Sequence, residues 1–534
     1  MPTVSELEYP RQAGQPAAEA GVVGWLRGLG WKFPFFVAFG FLCILGIYAI
    51  PPSMRLNGWE DSAVILLGPA LLVLLFLGLY QGWQGVRELR HDLTWWHGLW
   101  FLILVSSLVF RIRDAADAQS VPIDGYAALR LGPEAIVGLF LLVYFRRKGG
   151  ALQKSFFQGL TGALSAYGLI CLLSTAWSVK GSWTAYKSVE FMLDVSVLVA
   201  VLATIDTVEA YKKFFDWTLI LCGVELLWTW VGAVIWPEEA LYSTYPPRLT
   251  GVFPIQSANA IGASGAVLSI VALCRLLPLD GSKFKRSWNV LIFLFGVASM
   301  LACKTRASLA GFAVALMVVT LFSRKAKMLA LVGAGLLVTG YAVGVLVNVA
   351  PQPDELWAKV ANPSSEVVTF LERGQSEEQL ESLSERTEWW RLAWEQFVLH
   401  PMTGLGAYAG GKFGVLSKGG YGETPQLHSD YLETLVGTSF WGLIPLLIAL
   451  FGSWWLLIRY VRDRSLMPLD RQLALEAIGV LAVITVRSAV NVELIWHAPQ
   501  FFLAVLGCAE LLRRRAKAAR MAPVPVGIAG TRVG

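Results

Sequence analysis

The sequence predicts an all-α polytopic membrane protein, and three observations carry that prediction. Apolar residues make up 55% of the 534-residue chain against 15% charged, with a mean hydropathy of +0.56, which overrides the several soluble domains that length alone would suggest. Apolar runs of about 20 residues, enough to cross a ~30 Å hydrocarbon core, recur about fourteen times. No stretch alternates like a barrel strand, so the backbone polar groups must be satisfied inside helices.

The runs begin near Phe33, Ser62, Trp95, Gly132, Phe157, Ala185, Phe214, Ala258, Trp288, Ala307, Met328, Tyr431, Leu473 and Ile495. Residues 1–30 are polar, contain Pro and Gly, lack the apolar core of a signal peptide and read as a cytoplasmic arm. Residues 31–349 then hold eleven transmembrane helices, 350–430 a large helical extracytoplasmic loop, 431–512 three more helices, and 513–534 a basic cytoplasmic tail. Basic clusters at Arg146–Lys148, Lys283–Arg286, Arg324–Lys327, Arg459–Arg464 and Arg513–Lys517 all fall on the side of the N-terminus. By the positive-inside rule that side is the cytoplasm, so both termini are cytoplasmic. The net charge of +6 therefore follows topology and implies membrane lipids, not nucleic acid, as the surrounding partner. The six cysteines are scattered through apolar runs without pairing or metal-ligand spacing, which makes them small core residues.

The outer connections carry the chemistry. Arg111–Arg130 balances its charges and reads as a solvated loop. In the next one, Trp177, Trp183 and Tyr186 suit an interfacial aromatic belt, and Lys187 and Glu190, one turn apart, are expected to pair. Between the seventh and eighth helices, Tyr245-Pro246-Pro247 forces extended backbone, Arg248 follows, and Ser257 or Asn259 can cap the next helix. Arg306 stands at a short hairpin between two apolar runs, where an arginine seeks a polar cavity, a partner or the interface. In the large loop, a Ser382-x-x-Glu385 capping box opens a helix with Arg386, Trp390, Ala393 and Phe397 on one face. Pro401 stops it, and Gly404, Gly406, Gly410, Gly411 and Gly414 permit either close backbone approach or a flexible lid. The chain re-enters apolar sequence at His428, followed by Tyr431 and Glu433.

Three arginines and one histidine on one side of a membrane suit a lipid-linked diphosphate. Guanidinium forks match phosphate oxygens at any working pH, and an imidazole takes a proton from an attacking hydroxyl. The pattern Arg386-x3-Trp390-x2-Ala393, Pro401-x2-Gly404-x-Gly406 and His428-Ser429-x-Tyr431-Leu432-Glu433 resembles the O-antigen ligase and Wzy-type polymerase superfamily, bacterial membrane glycosyltransferases of the GT-C type. Trp177-Ser178, Arg248-x2-Gly251 with Asn259, and Arg306-Ala307-Ser308 extend it over roughly residues 160–500. Many members have Asn after the histidine and Gly eleven positions beyond it; this chain has Ser429 and Ser439.

The resemblance implies a glycan donor on undecaprenyl diphosphate and a glycan or lipid acceptor outside the cytoplasmic membrane, with neither metal nor other cofactor. His428 would activate the acceptor hydroxyl, Arg248 and Arg306 would bind the diphosphate, and Arg386 would assist from the loop. Trp390, Gly404, Gly406, Tyr431, Glu433 and Asn259 would support them. Direct displacement would invert the anomeric carbon. Polymerase, ligase and transfer to protein hydroxyls share this donor and stay open, as does the company of polysaccharide-assembly proteins. From another class, a lipid-linked glycan flippase or other transporter also fits fourteen helices, although such proteins show related halves and no repeat is visible here.

Overall fold

The computed structural model describes residues 93–108, 115–121, 124–150, 155–241, 248–252, 255–279, 286–323, 386–421, 426–496 and 499–521. The runs near Phe33, Ser62 and Met328, the N-terminal arm, the Ser382–Glu385 capping box and residues 522–534 lie outside them. Each remaining apolar run is a helix: α1 Trp95–Leu108, α2 Gly125–Lys148, α3 Gly159–Leu173, α4 Gly181–Thr204, α5 Val208–Ile235, α6 Ala258–Leu276, α7 Arg286–Ala302 and α8 Arg306–Ser323. After the loop helix α9, Arg386–Leu399, come α10 Asp430–Arg462, α11 Pro468–Val490 and α12 Gln500–Met521. Among the described residues there is no strand, and one isolated bridge joins Gly251 to Gln256.

Seven of these helices are long and apolar enough to cross a membrane, namely α2, α3, α5, α6, α8, α10 and α11. The others fall short for visible reasons. Helices α1 and α7 are brief, α4 carries Lys187, Glu190 and Asp194, and α12 carries Glu510 with Arg513–Arg515. Those arginines therefore continue a helix where the sequence suggests a tail.

Local chemistry starts the helices where expected. Asp124, Thr207 and Ser257 accept from the amides of Ala127, Ala210 and Ala260 at 2.8, 3.2 and 3.2 Å, satisfying donors that lack intrahelical partners. Ser257, not Asn259, is thus the cap of α6. Helices α6 and α11 are buried along most of their length, and small residues let their neighbours approach. A Cβ on Gly265 would stand 2.6 Å from the Gly296 carbonyl, and one on Gly311 would stand 3.0 Å from that of Val483. Arg275 of α6 reaches Glu476 of α11 at 2.7 Å and Asp216 of α5. The tight α6–α7–α8–α11 core brings the N-termini of α6 and α8 against the C-terminus of α11.

Candidate functional site

The histidine is held by its neighbours in the chain. Leu427 is clamped on both backbone groups, because Trp390 Nε1 donates to its carbonyl at 3.0 Å and its amide donates to Glu433 Oε1 at 2.5 Å. His428 follows with φ of +54°, a conformation uncommon outside glycine, and its ring lies 5.8 Å from that of Trp389 in a stacked arrangement. Two residues later Asp430 Oδ2 accepts from the amides of Glu493 and Leu494 at 2.7 and 3.0 Å. The Tyr431 hydroxyl meets Ser488 Oγ of α11 at 2.8 Å. These contacts fix the loop after α11 against the start of α10. Trp390, Tyr431 and Glu433 therefore support His428 as framework.

A chain of polar contacts then assigns the protons. His428 Nδ1 lies 3.3 Å from Asn491 Oδ1, while Asn491 Nδ2 donates to Glu493 Oε1 at 2.8 Å. The carboxylate fixes which end of the amide faces the imidazole, so an acceptor oxygen meets Nδ1. Nδ1 must carry the hydrogen, which leaves the lone pair on Nε2. Burial foremost, and then the Arg386 cation, push the His428 pKa down to about 4, opposed by the Asn491 contact. The imidazole is neutral at ordinary pH and able to accept a proton.

Arg487 closes this chain and was not singled out from sequence. Fully buried at the end of α11, it donates from Nε to Glu493 Oε1 at 3.0 Å and from Nη2 to the Asn259 carbonyl at 2.8 Å, and from Nη1 it also reaches Ser308 Oγ. It thus joins α6, α8 and the His428-orienting loop, and Asn259 serves through its backbone. The cost of an arginine inside an apolar run, applied above to Arg306, flags Arg487 equally.

Arg386 lies within electrostatic reach of Arg306 on one side and of the histidine on the other. Arg386 Nη1 donates to the Val490 carbonyl at 2.7 Å. Its pKa is lowered by burial, then by the positive charges of Arg306 and Arg487. Two further guanidinium groups therefore act on Arg386, which itself acts on the neutral imidazole. Arg248 joins by backbone: its amide donates to Leu241 O at 3.0 Å, and Leu249 N donates to Ala302 O at 2.9 Å, at the hairpin just before Arg306. Among the described residues, Arg248 Nε is buried without a hydrogen-bond partner.

The glycine-rich segment is embedded core and not a lid. Residues 404–416 are all buried, ending in a π-helical turn at Gly410–Leu416. Gly404 and Gly406 have φ of +65° and +98°. Their amide neighbourhood is an exchange of main-chain bonds, with Leu405 N to Val436 O at 2.8 Å and Gly406 N to Gly437 O at 2.9 Å. A Cβ on Gly406 would sit 2.1 Å from Ser178 Oγ, so the approach itself demands glycine. Helix α10 accommodates the crossing by a break at Ser439, with φ of +57°, whose hydroxyl donates to the Pro401 carbonyl.

With this geometry in place, comparison with known families is informative. Residues 291–447 match the family model Wzy_C, described as O-antigen ligase. That match supports the O-antigen ligase and Wzy-type family for this chain. A comparison with curated proteins finds no match. The matched residues take in Arg306, Arg386, Trp390, Gly404, Gly406, His428, Tyr431 and Glu433, whereas Arg248, Asn259, Arg487, Asn491 and Glu493 lie outside them.

Around the matched residues two expectations from sequence change. Arg130, placed in a solvated loop, is buried and paired with Glu190, which also holds Lys187 at 2.8 Å as expected. With Asp194 these side chains line a cavity to which Tyr408, Ile495 and Trp496 also contribute. Trp183, placed in an aromatic belt, is buried against Phe413, with Lys412 Nζ 5.7 Å from its ring. The glycine-rich segment covers Trp183 at the start of α4, where Thr184 Oγ1 also donates to the Ala407 carbonyl at 2.7 Å, whereas Arg130 is buried among its carboxylate partners Glu134 and Glu190.

Proposed function

We propose that this multi-pass membrane protein is a surface-polysaccharide polymerase or O-antigen ligase that transfers a glycan from undecaprenyl diphosphate to an acceptor hydroxyl. The active site faces the periplasmic side of a bacterial cytoplasmic membrane. The observation that carries the reading is the Glu493–Asn491–His428 chain, which leaves an accepting Nε2 beside a cluster of guanidinium groups.

In this reading the acceptor hydroxyl gives its proton to His428 Nε2 as its oxygen bonds to the anomeric carbon. The bond from that carbon to the diphosphate oxygen breaks, and the electron pair stays on the diphosphate. Arg248, Arg306 and Arg386 stabilise the charge that develops there, and one displacement inverts the anomeric centre. Arg386 has a second effect. Its cation helps hold the His428 pKa down, so a diphosphate anion against Arg386 offsets that influence and makes His428 a stronger base once donor is bound. Neither a nucleotide sugar nor a metal enters these steps.

The test is purified protein incubated with undecaprenyl-diphosphate oligosaccharide, with and without EDTA. Longer lipid-linked chains from donor alone identify a polymerase, and transfer only after lipid acceptor is added identifies a ligase. No transfer to glycan, lipid or protein acceptors overturns the proposal.

A further inference from the structure

Helix α9 has three kinds of surface. Trp389, Ala393 and Phe397 are buried against the body of the protein. Its outward side changes character along the axis. It carries a charged row that starts near the N-terminus, where Arg391 holds Glu388 at 2.6 Å, and ends at Glu395, which also pairs with Arg391. Toward the C-terminus it is apolar: Trp394, Val398 and Leu399 are 56, 58 and 67% exposed, and Met402 just beyond the helix is 65% exposed. Those four are too large an apolar group to leave in water without a partner.

The partner is indicated by what this patch joins. Phe397 meets Phe440 of α10 at 5.3 Å edge to face, and Trp394 meets Phe397 at the same distance. From Phe440 the exposed apolar surface continues down α10 through Trp441, Ile444, Ile448, Phe451 and Trp455, a single stripe at helical spacing. That stripe lies on a helix apolar enough to span a membrane and must meet lipid. The length of α10 fixes its depth. Its 33 residues reach roughly 50 Å at ~1.5 Å per residue, far beyond a ~30 Å core. The break at Ser439 leaves Phe440 to Arg462, roughly 35 Å, as the part that crosses. Phe440 and Trp441 then stand at one interface, where aromatic rings are favoured, with Arg459 and Arg462 at the other.

We infer that α9 is a monotopic interfacial helix, with the side chains of Trp394, Val398, Leu399 and Met402 immersed among the acyl chains of the outer leaflet and its Glu388–Arg391–Glu395 row held out in water. The immersion fixes the level of the site. Arg386 and His428 come to lie at the headgroup layer, and the charged row of the helix cannot tilt inward without desolvating three ionised groups. This inference rests on exposure and continuity and does not depend on the proposed reaction.

The test uses the full chain in phosphatidylcholine–phosphatidylglycerol vesicles, with single spin labels at Val398→Cys, Met402→Cys, Glu388→Cys and Glu395→Cys, and Phe440→Cys as the lipid reference. The native cysteines are replaced beforehand. Should that background not fold, a photoreactive amino acid at the same positions, scored for crosslinks to lipid, replaces the labels. Labels at 398 and 402 are expected to match position 440, several-fold more accessible to oxygen than to a nickel chelate, while 388 and 395 show the reverse. Equal nickel accessibility at all four positions overturns immersion. Shielding of 398 and 402 from both reagents, or crosslinks to protein alone, also overturns it and assigns the face to protein.

Discussion

His428 Nδ1 faces Asn491 Oδ1 at 3.3 Å, a contact across 63 residues of chain that joins the start of α10 to the loop after α11. The Asn491 amide is itself held by Glu493 at 2.8 Å, so the imidazole has one defined hydrogen-bearing nitrogen. Replacing Asn491 by Leu removes the contact without adding charge. The expected outcome is a fall in kcat with little change in donor KM, smaller than the ~10²–10⁴-fold loss expected for His428→Ala. Single-turnover kinetics on lipid-linked donor check both. Unchanged kcat in Asn491→Leu removes the orienting role.

The pH dependence follows from the depressed His428 pKa. A base works only when unprotonated, so activity is lost as pH falls through that pKa. In the free enzyme it lies at about 4, and the acid limb of kcat/KM should fall there. Bound diphosphate offsets the Arg386 cation, so the acid limb of kcat should lie at higher pH. Full pH–rate profiles decide, and coincident limbs refute the coupling between donor and base.

The arginines divide by burial. Arg487→Met leaves Glu493 without its cation, a loss of about 3–5 kcal/mol for a broken buried pair, read as a large drop in the thermal midpoint in detergent. Arg306→Lys keeps the charge and loses the fork. It should raise donor KM while leaving the midpoint near that of the unsubstituted protein. A reversed pattern would exchange the roles assigned to the two residues.

Two glycines test the embedded segment. Gly420 has φ of +88° with open space around it, whereas Gly406 has φ of +98° and Ser178 in the way. Gly420→Ala should cost only the roughly 1–2 kcal/mol of a left-handed alanine. Gly406→Ala should cost roughly 3 kcal/mol or more, since the strain is added to a collision. Equal shifts in the thermal midpoint would argue that the segment is a mobile lid after all.

Much of the site was legible because its residues carry costs visible in one dimension. An arginine at the edge of an apolar run, as at position 306, and an imidazole at the return to the membrane, as at position 428, each announce a need for a partner. Arg487 announces the same need from inside its run. Asn491 and Glu493 do not, because short polar residues after a helix are ordinary in any loop. Arg130 and Trp183 read as exposed for a related reason: both types are usual at interfaces, and only tertiary contacts, to Glu190 for the one and to Phe413 for the other, make them buried.

The sequence by itself determined that the chain is helical and membrane-embedded, where most helices begin, and which charged groups stand near their ends. Those features follow from hydrocarbon thickness and backbone hydrogen bonding, which act on local stretches of chain. The tertiary structure alone decided which nitrogen of His428 holds the hydrogen, which arginines crowd one another, and that the glycines are core. These depend on contacts such as Arg487 to Asn259, across 228 residues, and no local periodicity encodes a distance between two loops that meet only after the helices have packed.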